Sequence, residues 1–258
     1  MDLHDKVIVI TGASSGFGEA IARRCVREGA RVVLAARSAE KLAQLAEELG
    51  ASAGRALAVP TDVTCEQDVD RLATATLERF GPADALIANA GFGVLDPIAQ
   101  ARIEDLEEMV AVNLFGAVRC IKAFLPHMLQ RRRGQVVVMA SIAGLIATKN
   151  MGFYNTTKFA LVGLVRTLMI ELHGTGVRCA LICPGVASTG FQQRADNKKY
   201  ARITRLVACT AEQVADATVR AIRWRTHGEV IVPWHSRVLT ALSGPIPGLT
   251  RFVIRLIG

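Results

Sequence analysis

Tyr154 and Lys158 stand four residues apart at the start of GFYNTTKFALVGLVRTLMIEL, an otherwise apolar stretch from Gly152 to Leu172. Side chains at that spacing share one face of a helix. A tyrosine ionises at about pH 10, too high for ready proton exchange at neutral pH, and a nearby ammonium stabilises its phenolate. The pair therefore reads as an acid/base tuned for proton transfer, against the plainer reading of a surface Tyr/Lys pair. Ser141 lies just beyond the apolar run QVVVMA. At a strand's end its hydroxyl can donate to a substrate carbonyl oxygen and stabilise charge developing there. The alternative is a strand-end serine with no chemical role.

These residues need a scaffold, and the hydrophobic pattern describes one. Seven short runs, KVIVIT, RVVLAA, RALAVP, ALIAN, QVVVMA, RCALIC and EVIVP, alternate with stretches of helical spacing such as GFGEAIARRCVREG and SAEKLAQLAEELG, which end in glycine. The runs are almost continuously apolar, as strands covered on both faces should be. The pattern predicts an α/β fold: a doubly wound, Rossmann-type parallel sheet of seven strands with helices on both faces. In such sheets ligands bind beyond the carboxyl ends of the strands, and Ser141 falls at one of those ends.

The first strand leads into TGASSGFGEA, with glycines at Gly12, Gly16 and Gly18. A strand, a glycine turn and a helix start aim free backbone N–H groups from Ser14, Ser15, Gly16, Phe17 and Gly18 at one spot, together with the positive end of the helix dipole. That arrangement suits a pyrophosphate. The spacing Gly-x-x-x-Gly-x-Gly is not the commoner Gly-x-Gly-x-x-Gly, and a turn built only for tight packing is the competing reading. At the end of the second run, VVLAARS places neutral Ala36 and then Arg37 where an NAD site would hold a carboxylate. Arginine can grip a 2′-phosphate with its fork of donors, so NADP (NADPH) is expected, with NAD as a secondary cofactor.

Composition narrows the alternatives. Apolar residues are 51% and charged residues 21% of the 258, and no linker or repeat divides the chain, so residues 1–258 read as one domain. The six cysteines are scattered without a Cys-x-x-Cys pair, and the amino terminus lacks the layout of a secretion signal. A reducing, cytoplasmic location is expected. The net charge of +8 is spread along the chain, RRRG at 131–134 being the one cluster, so nucleic-acid binding is not expected. The five histidines fall at no metal-ligand spacing, which predicts no catalytic metal. No Gly-x-Ser-x-Gly turn surrounds Ser141, which argues against a hydrolase.

Taken in order, TGASSGFG, Asp62-Val63, ANAG at 88–91, Asn113 in VNLFG, Ser141, YNTTK and PGVAST at 184–189 resemble the single-domain branch of the short-chain dehydrogenase/reductase family. The resemblance implies that Asn113, Ser141, Tyr154 and Lys158 form a catalytic tetrad. Tyr154 would pass the proton, Ser141 would orient the substrate oxygen, Lys158 would bind the nicotinamide ribose and lower the tyrosine pKa, and Asn113 would hold a water leading from Lys158 to solvent. It also implies that Asp62 and Val63 contact the adenine, that Asn89, Ala90 and Gly91 line the cofactor cleft, and that Pro184, Gly185, Val186 and Thr189 flank the nicotinamide. Ala88 departs from the family's usual asparagine, and Phe17 from a more often aliphatic residue. Neither change removes chemistry.

The expected activity is NADP-dependent interconversion of a secondary alcohol and a ketone. The rival is a cofactor-binding regulatory or scaffold protein of the same fold without turnover. Residues 186–212 should shape the substrate cleft without naming the small-molecule substrate. The apolar extension 233–258, whose charged residues are Arg237, Arg251 and Arg255, tilts the choice toward a hydrophobic one: lipid-, steroid- or acyl-like. Three readings of that extension stay open: a lid, an oligomer contact, or a peripheral membrane contact. Family resemblance further implies a homodimer or homotetramer built on the helices near 106–125 and 154–172.

Overall fold

The computed structural model describes residues 1–186 and 207–243. In chain order these form β1 (Val7–Thr11), α1 (Gly16–Arg27), β2 (Arg31–Ala36), α2 (Ala39–Glu48), β3 (Ala56–Pro60), α3 (Glu66–Phe80) and β4 (Ala85–Ala88). There follow α4 (Ile103–Met109), a π-helix (Val110–Gly116), α5 (Ala117–Gln130), β5 (Gly134–Met139), α6 (Gly152–Glu171), β6 (Val177–Pro184), α7 (Ala211–Arg223), β7 (Gly228–Val232) and α8 (Ser236–Ser243). The seven strands make one sheet in the order β3-β2-β1-β4-β5-β6-β7, and every pairing is parallel. The expected doubly wound, Rossmann-type architecture is what the chain adopts.

The strands read as unbroken apolar runs because each of their two faces is covered. Ile8 and Ile10 of β1 and Leu34 of β2 join Ile21, Leu42 and Val214, so α1, α2 and α7 cover one face. Val7, Val9 and Val33 point the other way, into a layer with Leu72, Phe124 and Val165 of α3, α5 and α6. The continuous stretch Ile103–Gln130 is long and apolar enough to cross a membrane by length and composition. Here its apolar residues Cys120, Ile121, Phe124 and Met128 are buried in that second layer. All six cysteines are free thiols, five of them buried.

After β3 the chain crosses to the opposite side of β1, so β1 and β4 lie side by side while the connections that follow them run in opposite directions. This is the switch point at which a parallel sheet opens a crevice. Thr11, 1% exposed at the end of β1, holds it together. Its hydroxyl oxygen accepts the backbone N–H groups of Asn89 and Ala90, both at 3.0 Å. Thr11→Val keeps the shape but leaves two donors short of an acceptor. It should cost about 1–3 kcal/mol of unfolding free energy, measured as a lower urea midpoint at unchanged slope.

Candidate active site

The turn after β1 requires its glycines. Gly12 has φ +65°, and a Cβ there would lie 2.9 Å from the Ala90 Cα. A Cβ on Gly18 would run into the Gly12 carbonyl oxygen, a backbone atom that cannot step aside. The start of α1 is thereby pressed against the carboxyl end of β1. Asn89 closes the corner, its Nδ2 donating to the carbonyls of Thr11 at 2.9 Å and Gly12 at 3.3 Å. The opening turn of a helix leaves N–H groups without helical acceptors, and the Ser15 side chain does not cap them. Ser14, Ser15, Gly16, Phe17 and Gly18 thus form a cradle of donors at the positive end of α1, which fits the pyrophosphate of a dinucleotide.

Around that cradle stand the other residues expected at a cofactor. Arg37 is exposed just past β2 and enters no ion pair among the described residues. Asp62 follows β3, its Oδ1 accepting from the Thr64 N–H at 2.9 Å and hydroxyl at 2.7 Å, so the carboxylate is held in a fixed turn. Val63 is buried beside Gly116, where a Cβ would come within 2.6 Å of its Cγ2. Ala90 and Gly91 extend the turn beyond β4. Pro184 ends β6, and Gly185 donates to the Val232 carbonyl at 2.7 Å. Val186 donates to the Val207 carbonyl at 3.0 Å, and a Cβ on Gly185 would strike that same carbonyl. Thr189 lies outside the described residues, as do most of 186–212 and the part of 233–258 beyond Ser243.

Ser141, Tyr154 and Lys158 come together at the carboxyl edge of β5. Ser141 caps a short helical turn, its Oγ accepting from the Ala143 N–H at 3.1 Å and donating to the Pro184 carbonyl at 3.3 Å. The Ser141 side chain also hydrogen-bonds that of Tyr154. Asn155 pins the turn to α6 by donating to the carbonyls of Ala143 at 2.6 Å and Ile146 at 2.9 Å. Lys158 donates to the Met139 carbonyl at 3.1 Å, and its Nζ lies 5.8 Å from the centre of the Tyr154 ring. Asn113 sits in the π-helix with Oδ1 accepting from the Phe92 N–H at 2.9 Å. Its Nδ2 donates to the Phe92 carbonyl at 2.9 Å and to the Thr157 hydroxyl at 3.1 Å.

Burial dominates the electrostatics. Tyr154 is 6% and Lys158 4% exposed. Desolvation pushes the phenol up to about 12, opposed by its bond to Ser141, and brings the ammonium down to about 8. The sequence led us to expect that the lysine would lower the tyrosine pKa. In this geometry the ammonium donates to a backbone carbonyl, and the phenol's shift is set by loss of water, with the Ser141 bond the effect that opposes it.

Thr11, Asn155, Thr157 and the π-helix were not legible as parts of the site. Asn155 and Thr157 lie within the quoted YNTTK, but their partners are distant in sequence, and α-helical periodicity carries no mark of a π-turn. A polar residue on the buried face of an otherwise apolar helix is the signal that could have drawn attention to Thr157.

The chain has two tyrosines, Tyr154 and Tyr200, so in a Tyr200→Phe background phenolate absorbance reports Tyr154 alone. It should titrate near 12 in the folded protein and near 10 in urea. The folded value is the higher one, so the tyrosine's contribution to stability is complete below pH 10 and is lost as pH rises toward 12. Lys158 has the opposite sign: its folded value lies below 10.5, so its contribution falls away as pH drops through 8.

Comparison with known proteins agrees with this geometry. The family model described as short chain dehydrogenase matches residues 6–200. An uncharacterized oxidoreductase of Listeria innocua is 34% identical over 251 residues, spanning 91% of this chain and all of that one. The crystal structure of a short chain dehydrogenase/reductase from Burkholderia phymatum in complex with NAD superimposes with a TM-score of 0.85 at 30% identity, covering 96% of each chain. An alcohol dehydrogenase from the archaeon Thermococcus sibiricus, complexed with 5-hydroxy-NADP, gives 0.78 at 33% identity over 89% of this chain and 96% of that one. With the glycine cradle, the switch-point crevice and the Ser141–Tyr154–Lys158 cluster all on one sheet edge, the chain belongs to the short chain dehydrogenase family and is an oxidoreductase of that family.

Proposed function

We propose that the protein is an NADP(H)-dependent oxidoreductase that interconverts a ketone and a secondary alcohol on a hydrophobic substrate. The observation that carries the reading is the cluster of half-buried Ser141 with buried Tyr154 and Lys158 beside the donor cradle at the start of α1. The cradle would hold the pyrophosphate, Arg37 a 2′-phosphate and Asp62 and Val63 the adenine, while Asn89 to Gly91 would line the cofactor cleft and Pro184 to Val186 with Thr189 would flank the nicotinamide. When bound, the nicotinamide supplies or accepts the hydride. Ser141 would turn its hydroxyl from the Pro184 carbonyl to the substrate oxygen, and the Tyr154 phenol, protonated at neutral pH, is in the form that donates a proton to a carbonyl. Both amide hydrogens of Asn113 are spent on protein groups, so a water leading from Lys158 to solvent would rest on the Asn113 main-chain carbonyl.

Apolar side chains near Tyr154 support the choice of substrate class. Val94, Met109 and Ala143 are buried with it, and Phe92, Leu95 and Phe153 pack alongside. Arg37 supports NADP, because its fork can pair with a phosphate that NAD lacks. Titration with NADPH and NADH should show tighter NADPH binding, with the preference abolished in Arg37→Ala; equal or tighter NADH binding would end the NADP assignment. In the same protein Tyr154→Phe should keep NADPH binding and lose ketone reduction by at least about 100-fold. Turnover undiminished in that variant, or absent from wild type across a ketone panel, would favour the scaffold reading.

We extend the reading to a cytoplasmic homodimer, within reach of a homotetramer, that touches membranes peripherally. Phe115 of the π-helix and Phe159 and Leu164 of α6 are exposed, which supports pairing across these helices. Trp234 is 77% and Val238 64% exposed, and with Arg237 beside them they suit an anionic bilayer surface. Light scattering should give at least twice the chain mass. Flotation with phosphatidylglycerol vesicles should exceed that with phosphatidylcholine and fall in Trp234→Ser; a monomer, or no flotation, would remove the respective claim.

A further inference from the structure

Thr157 has no solvent exposure, and a hydroxyl so placed is costly unless it is bonded. It is bonded twice. It donates to the Tyr154 carbonyl at 2.9 Å and accepts from the Asn113 Nδ2 at 3.1 Å. The same amide grips Phe92 through both its N–H and its carbonyl. One chain of hydrogen bonds therefore runs from the loop after β4, through the π-helix, to the turn of α6 that bears Tyr154 and Lys158. Gly91 marks how close these parts lie: a Cβ there would be 3.0 Å from Asn113 Oδ1 and 3.6 Å from Lys158 Nζ.

We propose that Thr157 is a positioning residue, whose hydroxyl locks Asn113 and the π-helix onto the first turn of α6 and so sets Tyr154 and Lys158 relative to Ser141 and the Gly91–Phe92 wall. The π-helix carries an extra residue per turn and is a weaker arrangement than the α-helices on either side. A tertiary contact in its middle helps keep it from relaxing. The Thr157 oxygen is the acceptor for the second Asn113 amide hydrogen, so its removal leaves a buried donor unpaired. The proposal rests on the functional reading above, and its test is separable from that reading.

In the Tyr200→Phe background, Thr157→Val should lower the Tyr154 ionisation by at least about half a unit, because a loosened site admits water to the phenol. Reduction of 4-phenyl-2-butanone by NADPH, normalised to sites counted by NADPH titration, should lose about tenfold in kcat with KM within about twofold. Thr157→Ser, which keeps the hydroxyl, should restore both. A Val variant with unaltered titration and kcat, or a Ser variant as impaired as Val, overturns the proposal, since the methyl and its packing would then be what matters. Should Thr157→Val fail to fold, Thr157→Ala makes the same comparison. Should wild type not reduce the ketone, the functional reading suffers and the ionisation measurement still decides the role of Thr157.

Discussion

The constraint on which this site depends is the burial of an ammonium and a phenol side by side. Neither group gains stability from leaving water, and for Lys158 the nearest compensation is one backbone carbonyl at the end of β5. Much of the surrounding architecture makes that placement tolerable. Parallel strands end in carbonyls that no further ladder consumes, so the sheet's carboxyl edge offers the acceptor. Close approach of neighbouring backbone is allowed by glycine at Gly91, opposite Lys158 Nζ, and at Gly144, where a Cβ would lie 2.7 Å from the Lys158 carbonyl.

The cofactor half solves a different problem with similar means. Phosphate needs donors rather than acceptors, and the same sheet edge supplies them where α1 begins. The two halves meet through Thr11 and Asn89, short polar side chains that tie β1 to the turn after β4. Beyond that turn Phe92 is held by Asn113. Polar bonds therefore connect the crevice to the π-helix and on to α6, while the apolar layers on either face of the sheet keep the strands in register. Packing provides the platform, and a few buried hydrogen bonds set the geometry on it.

Similarity to solved proteins bears on these layers unevenly. The chain superimposes closely on one relative in complex with NAD and on another complexed with a modified NADP, two nucleotides that share a pyrophosphate. The difference between them lies at one ribose hydroxyl, and Arg37, the residue proposed above to read it, is an exposed side chain outside the packed core. In the proposed reading, the residues that build the sheet and the residue that selects the cofactor are separate.

The sequence by itself determined whatever depends on neighbours along the chain. Continuous β-branched runs specify strands covered on both faces, glycine spacing specifies the turn before α1, and a four-residue interval puts Tyr154 and Lys158 on one face of a helix. Tertiary structure alone decided what depends on depth and on distant partners. Asn113 meets Phe92 and Thr157 across 21 and 44 residues, separations that no local pattern encodes. The direction of the Tyr154 shift was decided the same way. Four-residue spacing brings a positive charge near the phenol, but the amount of water removed from both is set by β5, the π-helix and the turn after Ser141, and in this protein desolvation sets the direction of the shift.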